Sequence, residues 1–286
     1  MSQIAPYECS APAAGAAPLV LDSPHSGNEY PSNFRASADA CELQRLEDAY
    51  VHELFSGAPQ LGATLLYARF PRALIDPNRA LDDMDPAALS GPWPHRLKPS
   101  RKALLGVGLA FTRTPSGQAI YDEPIDVVEL QHRIDRYYQP YHSALTRAIE
   151  RFHALFGFVW HLNCHSMPSR GLTGLPEGER RADFCLGDRH GTTCNRDLTD
   201  LVANYLGQLG YRVSVNDPYA GVEIVRRYGQ PARGVHSLQL EINRDLYMDE
   251  STAGVHAGFD VLRQHLAGLV KHLSDAARLR IDVAAE

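Results

Sequence analysis

The chain lacks any apolar run of membrane-spanning length, so no membrane partner is expected. It also lacks a basic segment followed by an apolar one at its start. Met1-Ser2-Gln3-Ile4-Ala5-Pro6 does not read as a secretory signal, and the cytoplasm is the expected compartment. Cysteine is scarce and scattered: Cys9, Cys41, Cys164, Cys185 and Cys194 are odd in number and form no tight framework, which predicts reduced thiols. Cys185 and Cys194 are too isolated to read as a zinc ribbon. Basic charge is not in excess, and a net charge of −6 argues against nucleic acid as a partner. There is no internal repeat and no convincing linker. What remains is a chain of 286 residues with ordinary apolar content, enough for a full core without staples, and the expectation is one domain over residues 1–286. The sequence carries no sign of an oligomeric state.

Leu19-Val20-Leu21 reads as a short buried strand ending at Pro24-His25. Leu43, Leu46, Tyr50, Val51, Leu54 and Phe55 stand near helical spacing and predict a helix over about 39–56, stopped by Gly57 and Pro59. Residues 64–68 and 73–75 read as strands separated by Pro71. Residues 80–124, rich in Pro and Gly, read as loops and short strands. A long helix is expected over 125–155, kinked or split at Pro140. Residues 158–162 then read as a strand, with a bend at Asn163 and a loop over 163–169. Residues 170–194 read as a Gly- and Arg-rich loop around a strand at Phe184-Cys185-Leu186. A helix over 198–209, strands over 212–215 and 235–241, and a final helix over 251–273 follow. Alternating strands and helices imply an α/β fold with a mostly parallel mixed sheet and helices on both faces.

Polar clusters sit at the ends of these apolar runs. His25, followed by Ser26-Gly27, can point into a crevice as a metal ligand or cap its own turn. His165 offers the same two readings. His161 reads as a structural residue or as a partner that orients a ligand histidine. Cys164 invites a thiolate mechanism, but neighbours on a strand face opposite ways, which separates it from His165. A catalytic zinc takes three protein ligands and leaves one position for water. The acidic candidates for the third are Glu29, closer to His25 in sequence, and Asp48, which is also readable as a solvated helix carboxylate. Asn78-Arg79, after Asp76-Pro77, matches the geometry of a substrate carboxylate, or forms a turn with Arg79 paired to Asp82 or Asp83. Glu241, at the end of an alternating strand, is either a general base or half of a salt bridge with Arg244. Tyr219, Arg226 and Arg227 lie between Pro218 and Gly229 in a stretch that reads as a substrate-covering flap or a plain surface loop.

Together the clusters resemble the N-formylglutamate amidohydrolases (N-formylglutamate deformylases). The resemblance covers about Pro18 to Glu250. It is carried by Ser23-Pro24-His25-Ser26-Gly27, Glu47-Asp48-Ala49-Tyr50-Val51, Phe70-Pro71-Arg72, Asp76 to Arg79, and Asn163 to Ser169. Leu186 to Arg189, Pro218 to Gly221, and Gly234 to Glu250 add to it. That family is in turn distantly similar to zinc carboxypeptidases, a phosphorylase/hydrolase-like fold. In those enzymes a zinc-binding His and Glu, an arginine, Asp-Pro-Asn-Arg, a zinc-binding His-Ser and a catalytic Glu follow in this order. The resemblance implies a zinc ion held by His25, Asp48 and His165, with Glu29 as the alternative to Asp48. It implies Glu241 as general base, Arg72 as a carboxylate or carbonyl contact, and Asn78 and Arg79 as the clamp on the substrate α-carboxylate. Arg226, Arg227 and Tyr219 are further substrate contacts in this reading.

Three positions depart from the related patterns. Asn28 stands where the carboxypeptidase pattern has its acidic ligand, Asn163 where the amidohydrolases have Asp, and Val222 where they have a second Gly. The implied reaction is hydrolysis of N-formyl-L-glutamate to formate and L-glutamate, a step of histidine breakdown. Another N-acyl amino acid or a γ-glutamyl peptide is the alternative substrate. A non-catalytic carboxylate-binding protein is the alternative of a different class.

Overall fold

A computed structural model describes residues 4–13, 15–170 and 180–285 of the chain. Residues 171–179 of the loop expected over 170–194 lie outside the described residues. The strands are β1 (Tyr7–Ser10), β2 (Leu19–Ser23), β3 (Thr64–Ala68), β4 (Leu89–Ser90), β5 (Ile125–Asp126), β6 (Val159–Met167), β7 (Phe184–Gly187), β8 (Val213–Val215), β9 (Val235–Asn243), β10 (Met248–Asp249) and β11 (Gly254–Val255). The helices are α1 (Ala40–Gln44), α2 (Val51–Leu54), α3 (Arg101–Leu104), α4 (Val127–Arg133), α5 (Gln139–Phe156), α6 (Arg196–Gln208), α7 (Glu223–Tyr228) and α8 (Gly258–Ala285). Seven strands form one sheet in the order β1-β3-β2-β6-β9-β7-β8. β2, β6 and β9 are mutually parallel, β7 runs antiparallel to β9, and β8 is parallel to β7. The fold is therefore α/β with a mostly parallel mixed sheet, as the alternation of elements implied.

The chain divides into two compact units, Met1–Glu8, Pro24–Ala49 and Tyr67–Ala144 in the first, and Cys9–Ser23, Tyr50–Leu66 and Leu145–Glu286 in the second. In the second unit, every residue of β6 is buried, and β9 is buried from His236 onward. α8 is amphipathic and buries Leu262, Leu266, Leu269, Val270, Leu273 and Ala277, spaced by threes and fours. No helix among the described residues is long and apolar enough to cross a membrane. In the first unit, Ala38, Leu43, Leu46, Ala73, Phe111 and Ile120 form a satellite core with Tyr30 and Phe34 packed against it. Fully burying one such large side chain contributes about 1.5–3 kcal/mol, enough to hold irregular backbone in place.

Several elements differ from expectation for physical reasons. The helix expected over 39–56 is two short pieces, α1 and α2. Between them the Asp48 amide leaves the helical ladder to donate to His25 O at 2.9 Å, and Tyr50 takes a left-handed conformation at φ 64°. Residues 72–74 form a turn and Ile75 joins no strand. Pro140 does not split the long helix. A π-helical turn at Ile134–Tyr138 widens the spiral immediately before it, and α5 runs on to Phe156. β6 does not bend at Asn163 but continues to Met167. The stretch expected to be an irregular flap contains α7, and the final helix begins at Gly258, after the small β10–β11 pair.

Candidate active site

In the first unit the turn after β2 is held close to a neighbouring segment. A Cβ on Gly27 would come within 2.5 Å of Ala68 O, Arg69 C and Phe70 O, so only glycine fits. His25 follows Pro24 and is buried between two acids. Its Nε2 donates to Asp76 Oδ1 at 2.6 Å, and its Nδ1 lies 3.3 Å from Asp48 Oδ2. Asp76 is fully buried and collects further donors. The Asn78 amide reaches Oδ1 at 2.7 Å, Arg72 reaches Oδ2 at 2.7 Å, and Arg79 Nε stands 3.8 Å from Oδ2. Burial pushes the Asp76 carboxyl up, but the Arg72 guanidinium, the His25 ring and Arg79 outweigh it and hold the group far below the usual carboxylate range. Asp76 only accepts, so this bond places a proton on His25 Nε2, while Nδ1 faces Asp48.

Arg72 also approaches Asp48 Oδ1 at 3.8 Å and stacks over Phe111, 5.1 Å from the ring centroid. Arg79 is nearly buried, 3.9 Å from Asp83, and its carbonyl accepts from Tyr138. The first unit thus brings His25, Asp48, Arg72, Asp76, Asn78 and Arg79 into one cluster. Glu29 is not in it. That glutamate is 40% exposed and paired with Arg69 at 2.6 Å.

In the second unit, β6 and β9 set three polar pairs side by side: His161 with Ser237, Asn163 with Gln239, and His165 with Glu241. Because side chains alternate along a strand, these six share one face and Leu162, Cys164, Leu238 and Leu240 share the other. His165 Nε2 bonds Asn163 Oδ1 at 2.8 Å. Asn163 Nδ2 donates to Asp22 Oδ1 at 2.8 Å, and His161 Nε2 bonds the same oxygen at 2.8 Å. Gln239 Nε2 donates to Glu241 Oε1 at 2.8 Å, and the Val222 amide donates to Gln239 Oε1 at 3.2 Å. Arg244 directs its Nε to Ser166 Oγ at 3.1 Å. Cys164 is buried on the apolar face, where burial and the Asp22 charge push its thiol well above the ordinary value, which speaks against a thiolate nucleophile. His236 is buried and accepts the Asn195 amide at 3.2 Å, a structural contact.

Arg226 and Arg227 are exposed on α7, the first in an ion pair with Glu223 at 2.6 Å and the second over the ring of Tyr228. The Tyr219 hydroxyl accepts from Arg181 at 2.8 Å. Asp22, Gln239 and Arg181 escaped the sequence reading. Only Asp22 left a signal there, as a lone acid at the end of an otherwise apolar strand.

Among the described residues, His25, Asp48 and His165, all buried, can each offer one ligand atom, and these atoms lie within 4.8 Å of one another. Two imidazoles and one carboxylate are a donor set suited to a divalent ion with one position left open. The far nitrogen of each ring is already held, by Asp76 for His25 and by Asn163 for His165.

These features define the class, an α/β enzyme with a candidate metal centre. Comparison with known proteins makes the class particular. The family model for N-formylglutamate amidohydrolase matches residues 17–248, and the chain belongs to that family. It is 30% identical over 242 residues to an N-formylglutamate deformylase of Pseudomonas putida, covering 83% of this chain and 84% of that protein. The corresponding protein of Pseudomonas aeruginosa is 30% identical over 240 residues, with 82% and 84% covered. The crystal structure of an N-formylglutamate amidohydrolase from Ralstonia eutropha JMP134 superposes with a TM-score of 0.91 at 46% identity, covering 96% of this chain and 99% of that one. A gene product of Agrobacterium tumefaciens at 20% identity and a TM-score of 0.65 shares the fold, covering 94% of this chain and 95% of its own.

Proposed function

We propose that this chain, as one amidohydrolase domain over residues 1–286, hydrolyses the N-formyl amide of N-formyl-L-glutamate to formate and L-glutamate. The observation that carries the reading is the convergence of His25, Asp48 and His165, with Glu241 in cross-strand register with His165. These three residues would hold a divalent ion, zinc by the nature of the donors, which supplies Lewis acidity toward water and the formyl carbonyl. Glu241 takes the proton from the attacking water and passes it to the leaving amine nitrogen. Its orientation for both transfers is fixed by the bond from Gln239. Arg72, held against Asp76 and Asp48, stabilises the oxygen on which charge develops.

Asn78 and Arg79 bind the α-carboxylate of the substrate. Burial lowers the solvation of the Arg79 guanidinium, so an incoming carboxylate replaces little water. Arg226 and Arg227 lose weight as substrate contacts, since both are exposed and engaged within α7. Asp48 rather than Glu29 is the third ligand in this reading. The described cysteines are all unpaired, which supports a reducing compartment, the cytoplasm, and the products fit a step of histidine breakdown.

The test is formate release from N-formyl-L-glutamate by the purified chain, before and after exhaustive chelation and metal restoration. Activity that survives full metal removal would overturn the mechanism. Equal or higher rates on N-formyl-aspartate or N-acetylglutamate would overturn the substrate assignment.

A further inference from the structure

The polar face of β6 continues past the candidate ligand into a buried chain of hydrogen bonds that the proposed chemistry does not use. Ser237 Oγ bonds His161 Nδ1 at 2.8 Å, and His161 Nε2 bonds Asp22 Oδ1 at 2.8 Å. The same Asp22 oxygen accepts from Asn163 Nδ2 at 2.8 Å, and Asn163 Oδ1 meets His165 Nε2 at 2.8 Å. Asp22, His161, Asn163 and Ser237 are each fully buried at 0% exposure, so water cannot substitute for any of these partners.

The directions of these bonds are not independent. A carboxylate oxygen accepts and does not donate, so the amide of Asn163 must turn its NH2 toward Asp22. That orientation leaves the amide oxygen facing His165, and an amide oxygen accepts only from a protonated ring nitrogen. His165 therefore carries its proton on Nε2 and its lone pair on Nδ1. Turned the other way, the amide would set its oxygen against the Asp22 carboxylate, two acceptors with no proton between them. We infer that Asp22 is a positioning residue that fixes the tautomer of His165 at one remove, by orienting the side chain of Asn163.

The inference rests on the reading of His165 as a metal ligand for its functional consequence, but its own content is the tautomer. The first experiment uses nitrogen NMR of the imidazole rings in the metal-free wild-type protein. The expected result is an Nε2–H tautomer for His165; an Nδ1–H form or an even mixture overturns the inference, and this readout requires no variant. The second compares Asp22→Leu with the double variant Asp22→Leu/Asn163→Asp. The single change frees the amide, so the two tautomers should mix and zinc affinity should fall about tenfold to hundredfold, read by competition with a chelator. The double change sets an acceptor-only group directly beside His165, so the Nε2–H tautomer and most of the affinity should return. An Asp22→Leu protein that keeps one tautomer and wild-type affinity overturns the inference, as does a folded double variant that recovers neither. Wild-type protein that binds no zinc removes the metal reading alone, while the NMR result still decides the role of Asp22.

Discussion

Asp76→Asn isolates the electrostatic centre of the first unit. Every side of that carboxylate faces a donor: His25 Nε2 and the Asn78 amide at Oδ1, and Arg72 at Oδ2, all at 2.6–2.7 Å. An amide in the same place must turn its NH2 either against Arg72 or against the two donors at Oδ1, and it removes the negative charge that both guanidiniums share. Breaking a buried ion pair by removing one partner costs about 3–5 kcal/mol. The lower end applies here because the Arg72 side chain keeps 19% exposure and can recruit water. A loss of about 3–4 kcal/mol corresponds to a fall in Tm of roughly 6–16 °C for a chain of this size. The assay is thermal unfolding followed by circular dichroism with chelator present, so that metal binding does not contribute to the difference. A fall of less than about 2 °C, equivalent to under about 1 kcal/mol, would refute the claim that Asp76 anchors this cluster.

Glu241→Gln should lower kcat by about 10²–10⁴ while zinc content and substrate binding are retained, and unchanged turnover in a metal-loaded preparation would reject Glu241 as the base. In the folded protein a thiol reagent should modify the two exposed thiols, Cys41 first and Cys9 more slowly, because desolvation pushes the Cys9 thiol up. Cys164, Cys185 and Cys194 are buried, the last with its thiol pushed up to about 12, so they should react only after unfolding; a third fast thiol would contradict the packing of the sheet.

The sequence showed the elements that are built from local periodicity. β3, α6 and β9 fall within a residue or two of expectation, because alternation along β9 and three-to-four spacing along α6 are properties of the segments themselves. Where a distant partner decides the backbone, local pattern misled. Leu43 through Phe55 carry a helical stripe, yet the helix breaks where the Asp48 amide is captured by a carbonyl 23 residues away. Asn163 and His165 looked like the start of a loop because polar residues rarely run along a buried strand. They stay in β6 because β9 and Asp22 supply hydrogen-bond partners for that face. For the same reason the order of His25, Asp76-to-Arg79, His165 and Glu241 along the chain was visible, while the hydrogen bonds of Asp22 and Gln239 to that face were not.

The matched polar faces of β6 and β9 have a consequence for folding. Slipping the pairing by one residue would swing His161, Asn163 and His165 into the apolar layer of Leu162 and Cys164 and set those two among the polar partners in exchange. The polar side chains therefore act as a key that admits a single alignment of the two strands. A chain that completes this pairing has already set His165 opposite Glu241, so this part of the candidate site is assembled by the act of folding itself.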